Sequence, residues 1–210
     1  MPRSQANRAA SPWRPSLLAL AGVATVAGCG PRETRFNIVD HRAEGDATSY
    51  FEDFEECYYR CEPDGRFDFV ARRIGAAAHD ADDRITQVVH LHGIWNAIPG
   101  RTYAEDTMIN ATVSYLIVSG AGGASFEGGG FVSFRENHNR TVATGRLELA
   151  KLAPVRRLGE GGQIFEHAEL RGEFRAARDR RQVVRILTEM QRLFGPMPRY
   201  QPSHTDADVL

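Results

Sequence analysis

The sequence predicts a mainly β domain, an antiparallel β-sandwich or an up-and-down barrel of seven to eight strands, with one C-terminal amphipathic helix. Several runs alternate apolar and polar residues with a period of two, which is typical of strands with one buried and one solvated face. The connections between these runs are short, which favours antiparallel neighbours over crossover helices. Only residues 180–194 have a strong apolar stripe at helical spacing.

The first predicted strands lie on either side of the turn Pro63-Asp64-Gly65. Proline presets its φ angle and glycine tolerates a positive one, so residues 57–74 are predicted to form a hairpin. Residues 50–56 fit a helical turn at most. The polar segment 29–48 is predicted to be a tether that can donate a first strand around Phe36.

The next run, Arg84–Trp95, alternates so that His90 and His92 share one face. Further runs with strand character follow, and they cover residues 107–118, 131–134, 141–152 and 164–177. The glycine-rich segment Gly120–Gly130 is predicted to be a long flexible hairpin loop. It lacks the Gly-Lys-Ser/Thr ending of a phosphate-binding loop.

One helix is predicted to end the domain, which extends over residues 49–195. Asp179 is a suitable N-cap, and Gly195 followed by Pro196 is a stop signal. The apolar stripe that we expect to pack on the sheet consists of Val183, Val184, Leu187, Met190 and Phe194. Residues 196–210 are predicted to be a disordered tail.

The N-terminal residues have the layout of a secretory signal. Arg3, Arg8 and Arg14 precede an apolar run, Leu17–Gly28, that ends in small residues. A membrane-spanning helix needs about 20 apolar residues, so this run is too short to span. We therefore expect residues 1–28 to be a signal peptide.

The end of this segment, Val26-Ala27-Gly28-Cys29, resembles the lipobox of bacterial lipoproteins. The resemblance implies cleavage before Cys29 and lipid attachment to its sulfur, with palmitate among the acyl chains. Two or more acyl chains hold a protein stably on a bilayer. Gly30 replaces the Asp that retains some lipoproteins in the inner membrane, which favours the outer membrane. An ordinary secretory signal is the alternative.

The composition limits the possible partners. Removal of residues 1–28 changes the count from 26 basic and 27 acidic residues to 23 and 27, a net charge of −4. This balance argues against nucleic acid as a partner, since nucleic-acid binders have a basic excess or stripe. The expected partners are the membrane, through the lipid, and an envelope protein or small ligand of unknown identity.

Two cysteines, Cys57 and Cys61, remain besides Cys29, in a compartment where disulfides persist. Their pairing depends on local structure. On a helix, residues four apart are neighbours and a bridge is feasible. On a strand they lie roughly 13 Å apart, beyond the ~7 Å limit between Cα atoms. The hairpin prediction therefore favours free thiols, with a disulfide as the alternative.

His90 and His92 are candidate metal ligands, because two imidazoles on one strand face can chelate a transition ion if neighbouring strands add ligands. The residues considered as further ligands are His138, His167, Glu166 and Glu169. The alternative is that both histidines are half-exposed polar residues on a solvated face.

No catalytic residue is predicted, since a G-x-S-x-G elbow is missing, and the sequence favours a role other than catalysis.

Gly93-Ile94-Trp95 and the C-terminal helix are similar to features of the lipocalins, in these respects only. The resemblance implies an eight-stranded barrel that carries an apolar small molecule. The side chains that we expect to line such a barrel are Ile109, Val113, Phe131, Phe134 and Phe174.

The leading hypothesis is a membrane-anchored extracytoplasmic lipoprotein that serves as a binding or structural module of the cell envelope. A lipocalin-like carrier and a metal-binding protein that uses His90 and His92 are the alternatives. No cofactor is expected other than the lipid on Cys29 and, in the last case, a transition metal.

Overall fold

The computed structural model describes residues 34–41, 47–75, 84–95, 109–120, 122–159 and 167–196. This part of the chain contains nine strands and one helix. In order they are β1 Thr34–His41, β2 Thr48–Phe54, β3 Glu56–Cys61, β4 Phe67–Ile74, β5 Thr86–Gly93, β6 Ala111–Ser119, β7 Gly122–Glu136, β8 Val142–Leu158, β9 His167–Arg178 and α1 Arg180–Phe194. The predicted mainly β class with a C-terminal helix is confirmed.

All nine strands belong to one sheet, in the order β2-β1-β9-β3-β4-β5-β6-β7-β8. β8 also pairs with β9, so the sheet closes on itself as a barrel-like ring. β1 and β3 pair with successive parts of β9. The β3–β9 pairing is parallel, and the other strand pairs are antiparallel.

The N-terminal segment 29–48, predicted as a tether that can donate a first strand, supplies β1. This strand lies between β2 and β9 and buries Phe36 and Ile38. β2 occupies the residues for which a helical turn was considered. Only Glu55 separates β2 from β3. β2 is the strand that was not expected, and with it the sheet has nine strands rather than seven to eight.

The predicted hairpin around Pro63-Asp64-Gly65 is confirmed. β3 and β4 pair antiparallel with Cys61 opposite Phe67. Gly65 has a φ of 88°, which glycine adopts without steric cost. The hairpin fixes the register of β4, which places Asp68 opposite Arg60.

The prediction of a flexible loop at Gly120–Gly130 is wrong, because Gly122 onward forms β7, which pairs with β6 and β8. Glycine is needed here for close strand approach rather than for flexibility. A Cβ at Gly128 would lie 1.8 Å from the carbonyl oxygen of Lys151, and one at Gly130 would lie 2.8 Å from that of Leu149. The β7–β8 pairing contains a register shift beside Gly130.

Apolar side chains from all nine strands form one cluster in the interior of the ring. Among them, Phe67 stacks on Phe134 with ring centroids 4.5 Å apart. Phe69 contacts Phe174 with centroids 4.3 Å apart. The alternating strands supply these residues from one face only, as the period-two pattern predicts.

Helix α1 packs on the outer face of the sheet, where a second cluster includes Val70, Val88 and Leu116. Asp179 caps the helix by accepting hydrogen bonds from the N–H groups of residues 181 and 182. The buried helix residues are Val183, Ile186, Met190 and Phe194. The stripe prediction was therefore wrong for Val184, which is 43 % exposed, and omitted Ile186.

Cys57 and Cys61 both lie on β3 as free thiols, which the hairpin prediction favoured over the alternative of a disulfide. On an extended strand the two side chains are too far apart to bridge. Burial raises the pKa of both thiols to about 11. Both are therefore weak nucleophiles at neutral pH.

The predicted signal peptide, with Cys29, and the tail beyond Pro196 lie outside the described residues. Within the described part of the chain, α1 is too short and polar to cross a bilayer.

Candidate metal centre

Three side chains, Asp68 on β4 and His90 and His92 on β5, meet on the outer face of the sheet. Strand alternation puts them there, because their neighbours Phe69 and Leu91 point into the core. The β4–β5 register then places Asp68 directly opposite His92, with His90 two residues earlier on the same face. The hairpin turn and the alternation of two strands thus build the cluster.

One oxygen of the Asp68 carboxylate contacts both imidazoles. Oδ1 lies 3.0 Å from Nε2 of His90 and 2.8 Å from Nδ1 of His92. The Asp68 and His90 side chains are only 6 % and 11 % exposed, and His92 is 17 % exposed. An ionised carboxylate only accepts hydrogen bonds, so the imidazole N–H groups donate to it.

Arg60, on β3, binds the other carboxylate oxygen. Its Nε and Nη2 lie 2.7 Å and 2.6 Å from Oδ2 of Asp68. Burial acts to raise the pKa of Asp68, but the hydrogen bonds from His90, His92 and Arg60 outweigh it and hold the pKa well below its usual range. Asp68 therefore remains a carboxylate throughout the physiological pH range.

The three donors suit a transition metal. Neutral imidazole nitrogen is a common ligand of zinc, copper, iron and nickel, and a carboxylate oxygen is the frequent third ligand beside two histidines. The donor atoms of Asp68, His90 and His92 all lie within 4.8 Å of one another, and no other such group occurs among the described His, Cys, Asp and Glu residues. To ligate, His90 and His92 present the same nitrogens as lone pairs, in the other tautomer.

The structure brings His90 and His92 together, but it does not bring His138, His167 or Glu169 into the same group. His138 lies in the turn between β7 and β8, and His167 is the first residue of β9. Glu169 lies 3.3 Å from the guanidinium of Arg171. Glu166 lies outside the described residues.

Sequence reasoning missed Asp68. The available signal was the alternation Phe67-Asp68-Phe69, in which an acidic residue occupies the outward position of a strand whose neighbours are aromatic. Only the pairing of β4 with β5 shows that this position faces the histidines.

The residues that were expected to line a carrier cavity do not all lie in the interior of the ring. Val113, Phe134 and Phe174 belong to the packed interior, whereas Ile109 is 55 % exposed. Phe131 packs edge-on against Trp95, with ring centroids 6.3 Å apart.

An open groove of about 730 Å³ lies on the outer face of the sheet, in the described part of the chain. The polar side chains that line it are Arg35, Asn37, Arg146, Glu148, Arg171 and Glu173. Several of its charged groups are already paired, such as Arg35 with Asp53 at 2.6 Å.

Comparison with protein-family models, with curated proteins and with solved structures finds no match for the chain. Inferences about its function therefore rest on the residues and on their geometry.

Proposed function

We propose that this chain is an extracytoplasmic metal-binding protein of the cell envelope, in which Asp68, His90 and His92 bind one transition-metal ion. A lipid on Cys29 would fix it to the membrane, with the outer membrane favoured. The observation that supports the metal site is the position of one carboxylate oxygen within 3.0 Å of imidazole nitrogens from two histidines.

Two nitrogen donors and one oxygen donor favour Zn²⁺ and its transition-metal neighbours over Ca²⁺ and Mg²⁺, which prefer oxygen ligands. The site lies on rigid strands rather than on loops, so the donors are held in place before an ion arrives. A fourth ligand from water or another donor would complete a tetrahedral zinc site.

Metal analysis of the purified full-length protein, made without a histidine tag, tests the site. We expect one equivalent of Zn²⁺ to remain after dialysis. His90→Ala and His92→Ala each remove a ligand and should lower the content well below one equivalent. His138→Ala, in an exposed turn, is the matched control and should leave it unchanged. A wild-type content near zero, or equal content in all variants, would show that the site is not where we place it.

The proposed anchor depends on the sequence Val26-Ala27-Gly28-Cys29. Each buried CH₂ contributes about 0.8 kcal/mol to membrane binding, so two or more acyl chains are enough for a stable attachment. The ordinary secretory signal predicts the same export without the attachment.

Labelled palmitate separates these two possibilities. We expect the wild type to incorporate the label and to sediment with membranes, and Cys29→Ala to do neither. Cys57→Ala is the control, because its thiol lies within the folded domain. Label retained by Cys29→Ala would contradict the anchor and leave the metal site untouched.

A further inference from the structure

Arg60 takes no part in the group of metal ligands, yet it contacts one of them more closely than the histidines do. It stands directly opposite Asp68 in the β3–β4 pair. Two of its N–H groups converge on Oδ2 of Asp68 at 2.7 Å and 2.6 Å. Oε1 of Glu62 lies 3.8 Å from Nη1 of Arg60.

Because of this contact, the two oxygens of the Asp68 carboxylate have different partners. Oδ2 is committed to Arg60, and Oδ1 alone faces His90 and His92. A carboxylate held in this way can give a metal ion one oxygen only. Since two N–H groups of Arg60 donate hydrogen bonds to the same oxygen, they also restrict rotation of the carboxylate about its bond to Cβ.

We propose that Arg60 is a positioning residue that makes Asp68 a one-oxygen ligand and thereby selects a transition-metal ion over Ca²⁺. This inference depends on the metal site proposed above. Ca²⁺ takes six to eight oxygen ligands and commonly binds carboxylates through both oxygens. A single oxygen beside two imidazole nitrogens satisfies Zn²⁺ or Co²⁺ and leaves Ca²⁺ with too few donors.

A purely electrostatic role of Arg60 and a positioning role predict opposite changes in metal affinity when Arg60 is removed. A guanidinium next to a cation site repels the ion, so its removal should tighten binding if charge were its main effect. Positioning predicts weaker binding without it, because outer partners of metal ligands typically contribute 10- to 100-fold to affinity. The sign of the change therefore separates the two roles.

Binding of Co²⁺ to the full-length protein, followed through its visible absorption, tests the role of Arg60. We expect Arg60→Ala to weaken Co²⁺ binding about 10- to 100-fold and to weaken the visible bands, since a freed carboxylate adds a second oxygen and raises the coordination number. Arg60→Lys should also weaken binding, because an ammonium keeps the charge but lacks the planar fork. Ca²⁺ should compete with Co²⁺ better in both variants than in the wild type.

Arg35→Ala is the matched control. Arg35 also binds an aspartate across two strands, Asp53, but that pair is half-exposed and contacts neither histidine. Circular dichroism verifies that each variant is folded, and Arg60→Gln replaces Arg60→Ala if the latter unfolds. Tighter Co²⁺ binding, or an unchanged spectrum and selectivity, would overturn the positioning role alone. A wild type that binds no Co²⁺ would overturn the metal site and the role of Arg60 together.

Discussion

Asp68→Asn is expected to lower the free energy of unfolding by about 3 kcal/mol in the presence of a chelator, because breaking a buried ion pair leaves the remaining charge uncompensated. The Asp68 side chain is 6 % exposed and that of Arg60 is 20 % exposed. Both histidines also lose a charged acceptor in this variant. Urea unfolding of the wild type and the variant measures the difference.

Asp53→Asn is the matched control for this experiment. Asp53 and Arg35 form a similar two-point pair, but their side chains are 50 % and 57 % exposed. Exposed pairs contribute about 0–1 kcal/mol, so this variant should be close to the wild type. If both variants lose the same free energy of unfolding, burial of the Asp68 cluster does not strengthen its contribution to stability.

The effect of Asp68→Asn on stability should also depend on pH. A carboxyl whose pKa is lowered in the folded state contributes stability that is present above its ordinary pKa, near 4, and is lost as the pH falls through the folded value. The pKa of Asp68 is lowered in this way. The difference between wild type and Asp68→Asn should therefore persist from neutral pH to about pH 4 and shrink below it. A difference that vanishes already near neutral pH would contradict the lowered pKa.

Much of the fold follows from local pattern. Alternation correctly predicted a strand where β9 lies, and the capping residues correctly bounded α1 at Asp179 and Gly195. The run 131–134 was correctly predicted as a strand, but the glycine-rich first part of β7 was missed. Its glycines are needed because β8 approaches too closely for a Cβ at Gly128. Such a contact joins residues distant in sequence and has no local signature.

The candidate site shows the same division between local and distant information. His90 and His92 are recognisable because they are two residues apart on one strand. Asp68 and Arg60 join them only through the pairings of β3 with β4 and of β4 with β5. A single sequence gives the face on which each side chain lies, but strand order decides which faces meet. The third ligand and its positioning partner therefore required the structure.

Phe69→Ala is expected to cost about 4 kcal/mol of stability, the largest effect that we predict for a single substitution. Phe69 is fully buried and contacts Phe174 and Phe36, with ring centroids 4.3 Å and 6.2 Å away. Its removal leaves a cavity in the interior of the ring, because the strands around it cannot collapse inward. Urea unfolding measures the loss, and Phe51→Ala is the control, since that ring is 69 % exposed and should contribute within about 0.5 kcal/mol.

The effect of benzene on the stability of Phe69→Ala and of the wild type distinguishes a filled interior from a carrier cavity. A dry apolar cavity created by substitution binds such a probe, and a ligand that binds only the folded state raises its stability. If the interior is filled, benzene stabilises Phe69→Ala and leaves the wild type unchanged. If the ring carries an apolar ligand, benzene stabilises the wild type as well, and Phe69→Ala costs far less than 4 kcal/mol because the space beside Phe69 was already open. The second pattern would favour the lipocalin-like alternative, and the first would contradict it.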